Sequence, residues 1–211
     1  MRRRLIGQRI AASCLAGIVL FFPYLSESLA ELDPLQPPPA EGVLLVAHPS
    51  MDDPNFRRTV VLLVEHGPQG TVGFILNRPS DIPLSQALPD LPAIKETGHP
   101  LFIGGPVSPN RMTMLVRLTE PLPDMRRIFD GIYVGGSLEL LERLVTRPKP
   151  MEAFRVFAGM AGWAPGQLAF ELRQGAWATL SPDVTAIFDH DPDTLWLESL
   201  RRLQTPRTIS R

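Results

Sequence analysis

The side chains able to do acid–base or metal chemistry are few and scattered along the chain. The sequence has four histidines: His48, His66, His99 and His190. None lies in the HExxH or HxH spacing that places two imidazoles on one metal ion. The single cysteine, Cys14, lies in an apolar stretch near the amino terminus. We therefore expect no metal site and no cofactor, and we assign no catalytic residue.

One group of polar side chains falls at predicted strand ends: His48, Asp52, Asp53, Glu65 and His66. If these ends share one rim of a sheet, imidazoles and carboxylates would lie together, as general acid–base hydrolysis requires. The alternative is that these side chains cap strands and bind loop backbone. We favour this alternative, because loop histidines more often satisfy hydrogen bonds than catalyse. A hydrolase ranks last among the functional hypotheses.

Two glycine-rich turns follow predicted strands, and both expose backbone amides that could hold an anion. The first contains Gly104 and Gly105, and the second contains Gly135, Gly136 and Ser137. Neither has the spacing of a phosphate-binding loop or of a dinucleotide fingerprint. Tight strand-to-helix turns are the favoured interpretation. A small-molecule or anion binder that uses these turns remains the second hypothesis.

The elements that must position these residues are short strands with few helices. The chain is 44% hydrophobic and 20% charged, which favours one folded domain with a core. Apolar and β-branched runs predict strands at 43–47, 59–64, 71–76, 101–105, 112–117, 131–136, 154–158 and an edge strand at 177–180. Helices are predicted at 84–91, 137–144 and 165–173 and from Asp191 onward, the second capped by Ser137. Hairpins mixed with crossovers predict an α+β fold with a mixed sheet.

The amino terminus differs from the rest of the chain. Four arginines precede the apolar run 10–25, and Ser28-Leu29-Ala30 supplies small residues before a cleavage point, which is typical of a secretory signal at 1–30. Residues 31–42 are proline-rich and predict a linker, and 43–211 form the domain. The apolar run is short for a membrane span, so we expect no permanent anchor. We expect a periplasmic or secreted protein, with a mis-called start and a cytoplasmic protein as the alternative.

Cleavage after Ala30 would leave an acidic chain with 17 Lys and Arg against 21 Asp and Glu. Nucleic-acid affinity rests on Lys and Arg contacts with phosphates, so direct nucleic-acid binding is disfavoured. Cleavage would also remove Cys14, which excludes a disulfide or a cysteine nucleophile from the mature domain.

Four segments carry a resemblance to a known family. The stretches at 44–79, 102–116, 130–144 and 157–180 include DPNF, EHG, NRP, GGPV and GWAPGQL in that order. In this combination the chain resembles the AlgH/YqgE family of bacterial proteins over about residues 43–203. The resemblance implies a complex α+β fold with a mixed, partly barrel-like sheet flanked by helices. It implies little about function: only the namesake branch is linked to regulation of alginate exopolysaccharide synthesis, at the level of transcription, and no catalytic residue is established for the family.

This sequence departs from the family pattern at its amino terminus and at two positions inside the motifs. Members generally begin just before the first strand and are cytoplasmic. They usually carry a histidine where this chain has Arg117 and a glutamate where it has Ala169. Those two positions are therefore not essential here. Because the sequence contains no recognisable catalytic constellation, the first hypothesis is a non-enzymatic regulatory or interaction protein with an unidentified protein partner. If export occurs, this regulation is indirect.

Overall fold

In a computed structural model, the described residues are 36–95, 97–122 and 125–204. The predicted signal at 1–30 lies outside them. The strands of this part of the chain are β1 (Leu44–Ala47), β2 (Val60–Gly67), β3 (Gly70–Ile75), β4 (Pro79–Pro83), β5 (Pro100–Ile103), β6 (Val107–Arg117), β7 (Met125–Phe129), β8 (Ile132–Gly135), β9 (Ala153–Trp163) and β10 (Trp177–Leu180). The α-helices are α1 (Leu84–Ala87), α2 (Leu138–Thr146), α3 (Gln167–Arg173), α4 (Val184–Phe188) and α5 (Pro192–Gln204).

The strands form one curled sheet in the order β10-β1-β2-β3-β9-β6-β8-β7, with β5 also beside β9 and β4 beside β5. The predicted β2–β3 hairpin is present, with Gly67 paired to Gly70. Strand β9 is the centre of the sheet, since it pairs along its length with β6 and in turn with β5 and β3. The β5–β9 pair is parallel and the other pairs are antiparallel. The expected α+β fold with a mixed, partly barrel-like sheet is confirmed.

The concave face of this half-barrel holds the largest core cluster. Side chains from nearly every strand contribute to it, and alternation along each strand sends them inward: Leu62 and Val64 on β2, Leu115 on β6, Phe157 on β9. Helices α4 and α5 close one end, where Ile187, Leu195 and Trp196 join the cluster. The Trp196 indole donates to the carbonyl of Ala47, at a distance of 2.8 Å, which fixes α5 beside β1.

The convex face is covered by the other helices. Leu140, Leu141 and Leu144 of α2 pack with Val116 and Tyr133 of the sheet. Leu168 and Leu172 of α3 pack on the outward side chains of β1 to β3, together with the two indoles of Trp163 and Trp177. The sheet is therefore buried on both faces, so we expect a functional site at its ends, at its edges or in the loops.

The observed elements differ from the sequence predictions in four places. Strands β4 and β7 were not predicted, and β6 and β9 are longer than expected because each continues through an irregular stretch. The helix predicted at 84–91 ends at Ala87. Helix α3 does not begin with Pro165, since Gly166 is its N-cap at φ +78°, a conformation that glycine adopts without strain.

The described end of the predicted linker is packed on the sheet. Thr179 of β10 donates its amide to Gln36 Oε1 at 2.9 Å and its hydroxyl to the carbonyl of Pro37 at 2.7 Å. The Gly42 amide donates to Leu63. Residues 36–42 thus cover part of the free edge of β10, which an unpaired strand would otherwise present to other chains. None of the helices found within the described ranges combines the length and apolarity that crossing a bilayer requires.

Candidate functional site

The end of the half-barrel opposite α4 and α5 is open, and we call it the barrel mouth. It contains a cavity of about 370 Å³ lined by Val64, Glu65, Val72, Phe74, Arg111, Thr113, Arg126, Val134, Gly135 and Met160. The floor of this cavity is apolar and continues into the core. Its rim carries two guanidinium groups and one carboxylate. This volume lies in the range of small-molecule sites in proteins.

Strand alternation and two bulges place the charged side chains at the mouth. On β7, Arg126 pairs with Val134 of β8, and both residues line the cavity. Arg127 is the next residue on the strand, so it points outward, and it pairs with Asp130 at 2.8 Å. On β2 the register with β3 shifts between Leu63 and Glu65. This bulge turns Glu65 to the cavity beside Val64.

Arg111 is presented by a larger bulge in β6. Val107 pairs with Met160 and Met112 with Ala158, so residues 108–111 stand opposite the single residue Gly159. Gly159 has φ +69°, and a Cβ there would meet the carbonyl of Gly105 and approach Pro109. Only glycine therefore lets the bulge lie closely on β9. The bulge ends with Arg111 facing the cavity.

The charges at the mouth are incompletely paired. Arg126 Nη1 lies 3.2 Å from Glu41 Oε1, and both side chains are about 40% exposed. Within the described part of the chain, neither the Arg111 side chain nor the Glu65 side chain makes a hydrogen bond or an ion pair. Thr113 adds a hydroxyl to the same lining. Such a site can hold an anionic group by charge-assisted hydrogen bonds.

The structure does not bring the five predicted rim residues together. Strands β1 and β2 are antiparallel, with Val46 opposite Val60, so His48 lies beside the beginning of β2. Glu65 and His66 lie at its other end, roughly 20 Å away at about 3.3 Å per residue. The hydrolase hypothesis required these imidazoles and carboxylates to lie together, and they do not. The error came from assuming that these strand ends share one rim.

Three residues of that predicted cluster, His48, Asp53 and His66, have local partners. His48 Nδ1 lies 2.7 Å from Ser50 Oγ, and Asp53 Oδ1 accepts the amide of Asn55 at 2.8 Å. Asp52, like Asp53, is exposed in the same loop. His66 Nδ1 lies 2.8 Å from Thr71 Oγ1 across the hairpin. Of the five, Glu65 alone lines the barrel mouth.

The first glycine turn, Gly104 and Gly105, packs closely on β9. Gly104 donates to the carbonyl of Ala158 at 2.8 Å and accepts the amide of Ile75 at 3.0 Å. A Cβ on Gly104 would meet the carbonyl of Gly159, and one on Gly105 would meet the backbone at Met160. Both glycines are thus required by close contact with β9, and the Gly104 amide is already engaged. The Gly104 amide is therefore not free to bind the anion of the second hypothesis.

The second glycine turn divides between two cavities. Gly135 lines the barrel mouth, whereas Gly136 and Ser137 line an apolar pocket of about 130 Å³ beside α2. Ser137 caps α2 as predicted, accepting the amide of Leu140 at 3.3 Å. A hydrogen bond from the Ser137 hydroxyl also holds the pKa of Glu139 below its usual value. The Glu139 carboxylate therefore already occupies the positive end of the helix.

Sequence reasoning missed Arg111, Thr113 and Arg126. The predicted strand 112–117 began one residue too late to include Arg111, and β7 was not predicted. A signal was present, since Arg111, Thr113 and the core residue Leu115 alternate along one face. No group of three or more His, Cys, Asp or Glu side chains positioned for a metal occurs among the described residues.

At the closed end of the barrel, Arg117 makes structural contacts. Its guanidinium forms a two-bond ion pair with Asp189, with N–O distances of 2.9 and 3.1 Å. It also lies over the ring of Phe188. Nearby, burial lowers the pKa of Arg155 to about 10, although its guanidinium donates to the carbonyl of Leu76 at 2.7 Å. These contacts attach α4 to β6 and stiffen the end opposite the mouth.

The comparisons with known proteins agree with this fold. A family model described as AlgH-like matches residues 44–207. A UPF0301 protein of Chlorobium luteolum is 36% identical over 164 residues, covering 77% of this chain and 85% of that protein. A UPF0301 protein of Parabacteroides distasonis is 33% identical over 167 residues, covering 78% and 83%.

Two solved structures are similar as well. The solution structure of the AlgH protein from Pseudomonas aeruginosa has a TM-score of 0.66 and 28% identity, covering 83% of this chain and 98% of that one. A crystal structure from Corynebacterium diphtheriae gives the same score and identity, covering 82% and 90%. The motifs, the half-barrel and these matches agree, and the chain belongs to the AlgH-like family.

Proposed function

We propose that this protein is a non-catalytic binding protein that takes a small molecule bearing an anionic group into the barrel mouth. The observation that carries the proposal is the cavity of about 370 Å³ with Arg111 and Arg126 at its rim. Binding without turnover suits a regulatory protein, since a ligand can then shift the population of a partner-binding state. This proposal extends the regulatory hypothesis, because it names the kind of ligand that would control partner binding.

The test is calorimetric titration of the purified domain with three probes: phenylalanine, 3-phenylpropionate and inorganic phosphate. We expect at least one probe to bind the unaltered protein and to bind Arg111→Gln and Arg126→Gln at least tenfold more weakly, since each change removes a charged hydrogen bond. Arg127→Gln is the matched control, because Arg127 is the next residue on β7 and points away from the cavity. If none of the three binds, or if the arginine variants bind all probes equally well, the proposal is wrong.

The apolar pocket beside α2 supports the partner half of the hypothesis. Met112 and Leu138 lie at its rim and are 41% and 53% exposed. A pocket this small fits one apolar side chain of a partner protein. Pull-down from the native cell extract with Leu138→Asp, compared with Leu197→Asp on α5, tests this role. A partner lost with the first variant and kept with the second supports it, and equal capture by both contradicts it.

We also propose that the protein is exported. The support is the order of basic, apolar and small-residue regions in 1–30. An exported protein acts on envelope partners, so the gene regulation that the resemblance implies would be indirect. The acidic balance of the chain after residue 30 likewise disfavours direct nucleic-acid binding.

A further inference from the structure

We propose that the ligand of the barrel mouth is a zwitterion with an apolar body, specifically a free α-amino acid with an apolar side chain. The inference rests on the proposed binding function and names its ligand class. Its basis is the combination of both charge signs on the rim with an apolar floor. A site for a simple anion needs no carboxylate, and a site for a simple cation needs no arginines.

The first step concerns the unpaired charges. Glu65, Arg111 and Arg126 line one cavity, yet Glu65 has no cation within 4 Å among the residues that the structure describes. A sphere of 370 Å³ is about 9 Å across, so charges of both signs line one cavity of small-molecule size. An α-amino acid carries its ammonium and carboxylate on one carbon. It pairs with both signs of charge by giving the carboxylate to the arginines and the ammonium to Glu65.

The second step concerns the position of Glu65. A regular strand that sends Val64 inward would send Glu65 outward, because side chains alternate. The bulge between Leu63 and Glu65 overrides this alternation and places both residues at the cavity. The carboxylate is therefore held at the mouth by a backbone irregularity, a feature that often accompanies binding sites.

The third step concerns the floor. Phe74, Val134 and Met160 line the cavity below the charged rim, and Val64 and Phe74 belong to the core or its border. Burial of an apolar side chain here supplies affinity, at about 25 cal/mol per Å² of buried area. A polar zwitterion such as glycine or serine would leave this floor unfilled. The site therefore favours amino acids such as leucine, methionine or phenylalanine.

The fourth step concerns Glu41. Its carboxylate already lies 3.2 Å from Arg126, in the segment just before β1. This contact shows that the Arg126 guanidinium can donate a hydrogen bond to a carboxylate at the rim of the mouth. A ligand carboxylate that binds Arg111 and Arg126 competes with Glu41, so Glu41→Gln should strengthen amino-acid binding by about threefold, as for removal of one exposed ion pair.

The experiment uses three probes of one size: phenylalanine, 3-phenylpropionate without the ammonium, and 2-phenylethylamine without the carboxylate. Each is titrated calorimetrically into the purified protein, into Glu65→Gln and into the control Arg127→Gln. We expect phenylalanine to bind the unaltered protein at least tenfold more tightly than either analogue. We expect Glu65→Gln to remove this preference over 3-phenylpropionate while still binding that acid, which also proves that the variant is folded.

Three results overturn the inference in distinguishable ways, the third with glycine as an added probe. If 3-phenylpropionate binds as tightly as phenylalanine and Glu65→Gln changes neither affinity, the mouth binds anions and the zwitterion assignment is wrong while the proposed function stands. If none of these probes and no inorganic phosphate binds, both proposals fail. Preference for glycine over phenylalanine would contradict the role assigned to the apolar floor.

Discussion

At the scale of single residues, the carboxylate of Glu171 binds the side chains of two tryptophans, Trp163 and Trp177. Its Oε2 accepts the indole N–H of Trp163 at 2.9 Å and of Trp177 at 2.8 Å. Both indoles are buried, and they contact each other and Phe56 edge-on or stacked. We predict that Glu171→Ala lowers the free energy of unfolding by about 3 kcal/mol, because two buried donors lose their acceptor. Urea denaturation followed by tryptophan fluorescence measures this loss.

The control for that change is Arg173→Ala on the same helix. Arg173 is exposed, and we expect its removal to cost less than about 0.5 kcal/mol. Equal effects of the two substitutions would show that α3, rather than the carboxylate, stabilises the indoles.

A second residue-scale prediction concerns Glu152. Its carboxylate binds Arg143 at 2.8 and 3.2 Å and accepts the amide of Lys149, and its side chain is only 3% exposed. The Arg143 hydrogen bond, with the other cations nearby, lowers the pKa of Glu152. A carboxyl whose pKa is lower in the folded state stabilises the protein above its unfolded pKa, and that stability is lost as pH falls through the folded value.

We therefore expect stability to fall below about pH 4.5, the ordinary range of a glutamate. Arg143→Gln should reduce both stability at pH 7, by about 2 kcal/mol, and this acid dependence. Chemical denaturation at pH 7, 5 and 3.5 checks both effects, with Arg147→Gln as the control on the exposed stretch after α2. An unchanged pH profile in Arg143→Gln would contradict the assignment.

At the scale of elements, the β6 bulge and Gly159 act as one unit. A Cβ at position 159 would meet the Gly105 carbonyl at a backbone conformation of φ +69°. We predict that Gly159→Ala lowers stability by about 3 kcal/mol and weakens ligand binding, because the bulge must move and carries Arg111 with it. Gly162→Ala is the control on the same strand, where a Cβ approaches only the exposed Val107 side chain at 3.3 Å. Retained binding in a folded Gly159→Ala variant would contradict this coupling.

The same bulge shows how far the elements could be predicted from sequence. Strands with continuous apolar runs, such as β1, β2 and β8, follow from burial on both faces. The ends of β6 and β9 could not be predicted in this way. Glycines and a proline interrupt the apolar pattern at the bulge, where two distant segments of the chain make a tight contact. Strand β7, with the sequence MRRIF, was not predicted because it carries two arginines, one of which points into the barrel. The candidate site was missed for the same reason: it consists of charged residues on inward positions, contrary to ordinary patterning.

At the scale of the whole molecule, residues 36–42 connect the two margins of the curled sheet. Gln36 and Pro37 bind Thr179 on β10, while Glu41 binds Arg126 on β7. We predict that a chain beginning at Glu41 is less stable by about 1 to 2 kcal/mol than one beginning at Gln36, because Thr179 loses two hydrogen bonds. Its exposed β10 edge should also promote self-association. Urea denaturation and size-exclusion chromatography of the two chains test this, and identical behaviour would contradict a stabilising role for the segment.

This arrangement is compatible with removal of the proposed signal. Cleavage after Ala30 leaves Gln36 and Pro37 in place, so the mature chain keeps every contact that the described segment makes with β10. We predict that mass spectrometry of the native protein finds an amino terminus at Glu31 in the periplasmic fraction, because the apolar run of 1–30 precedes a small-residue cleavage point. A variant with Ala30→Phe should accumulate uncleaved, since bulky residues block that position. An intact Met1 terminus recovered from the cytoplasmic fraction would contradict export and leave the barrel mouth to sense a cytoplasmic ligand.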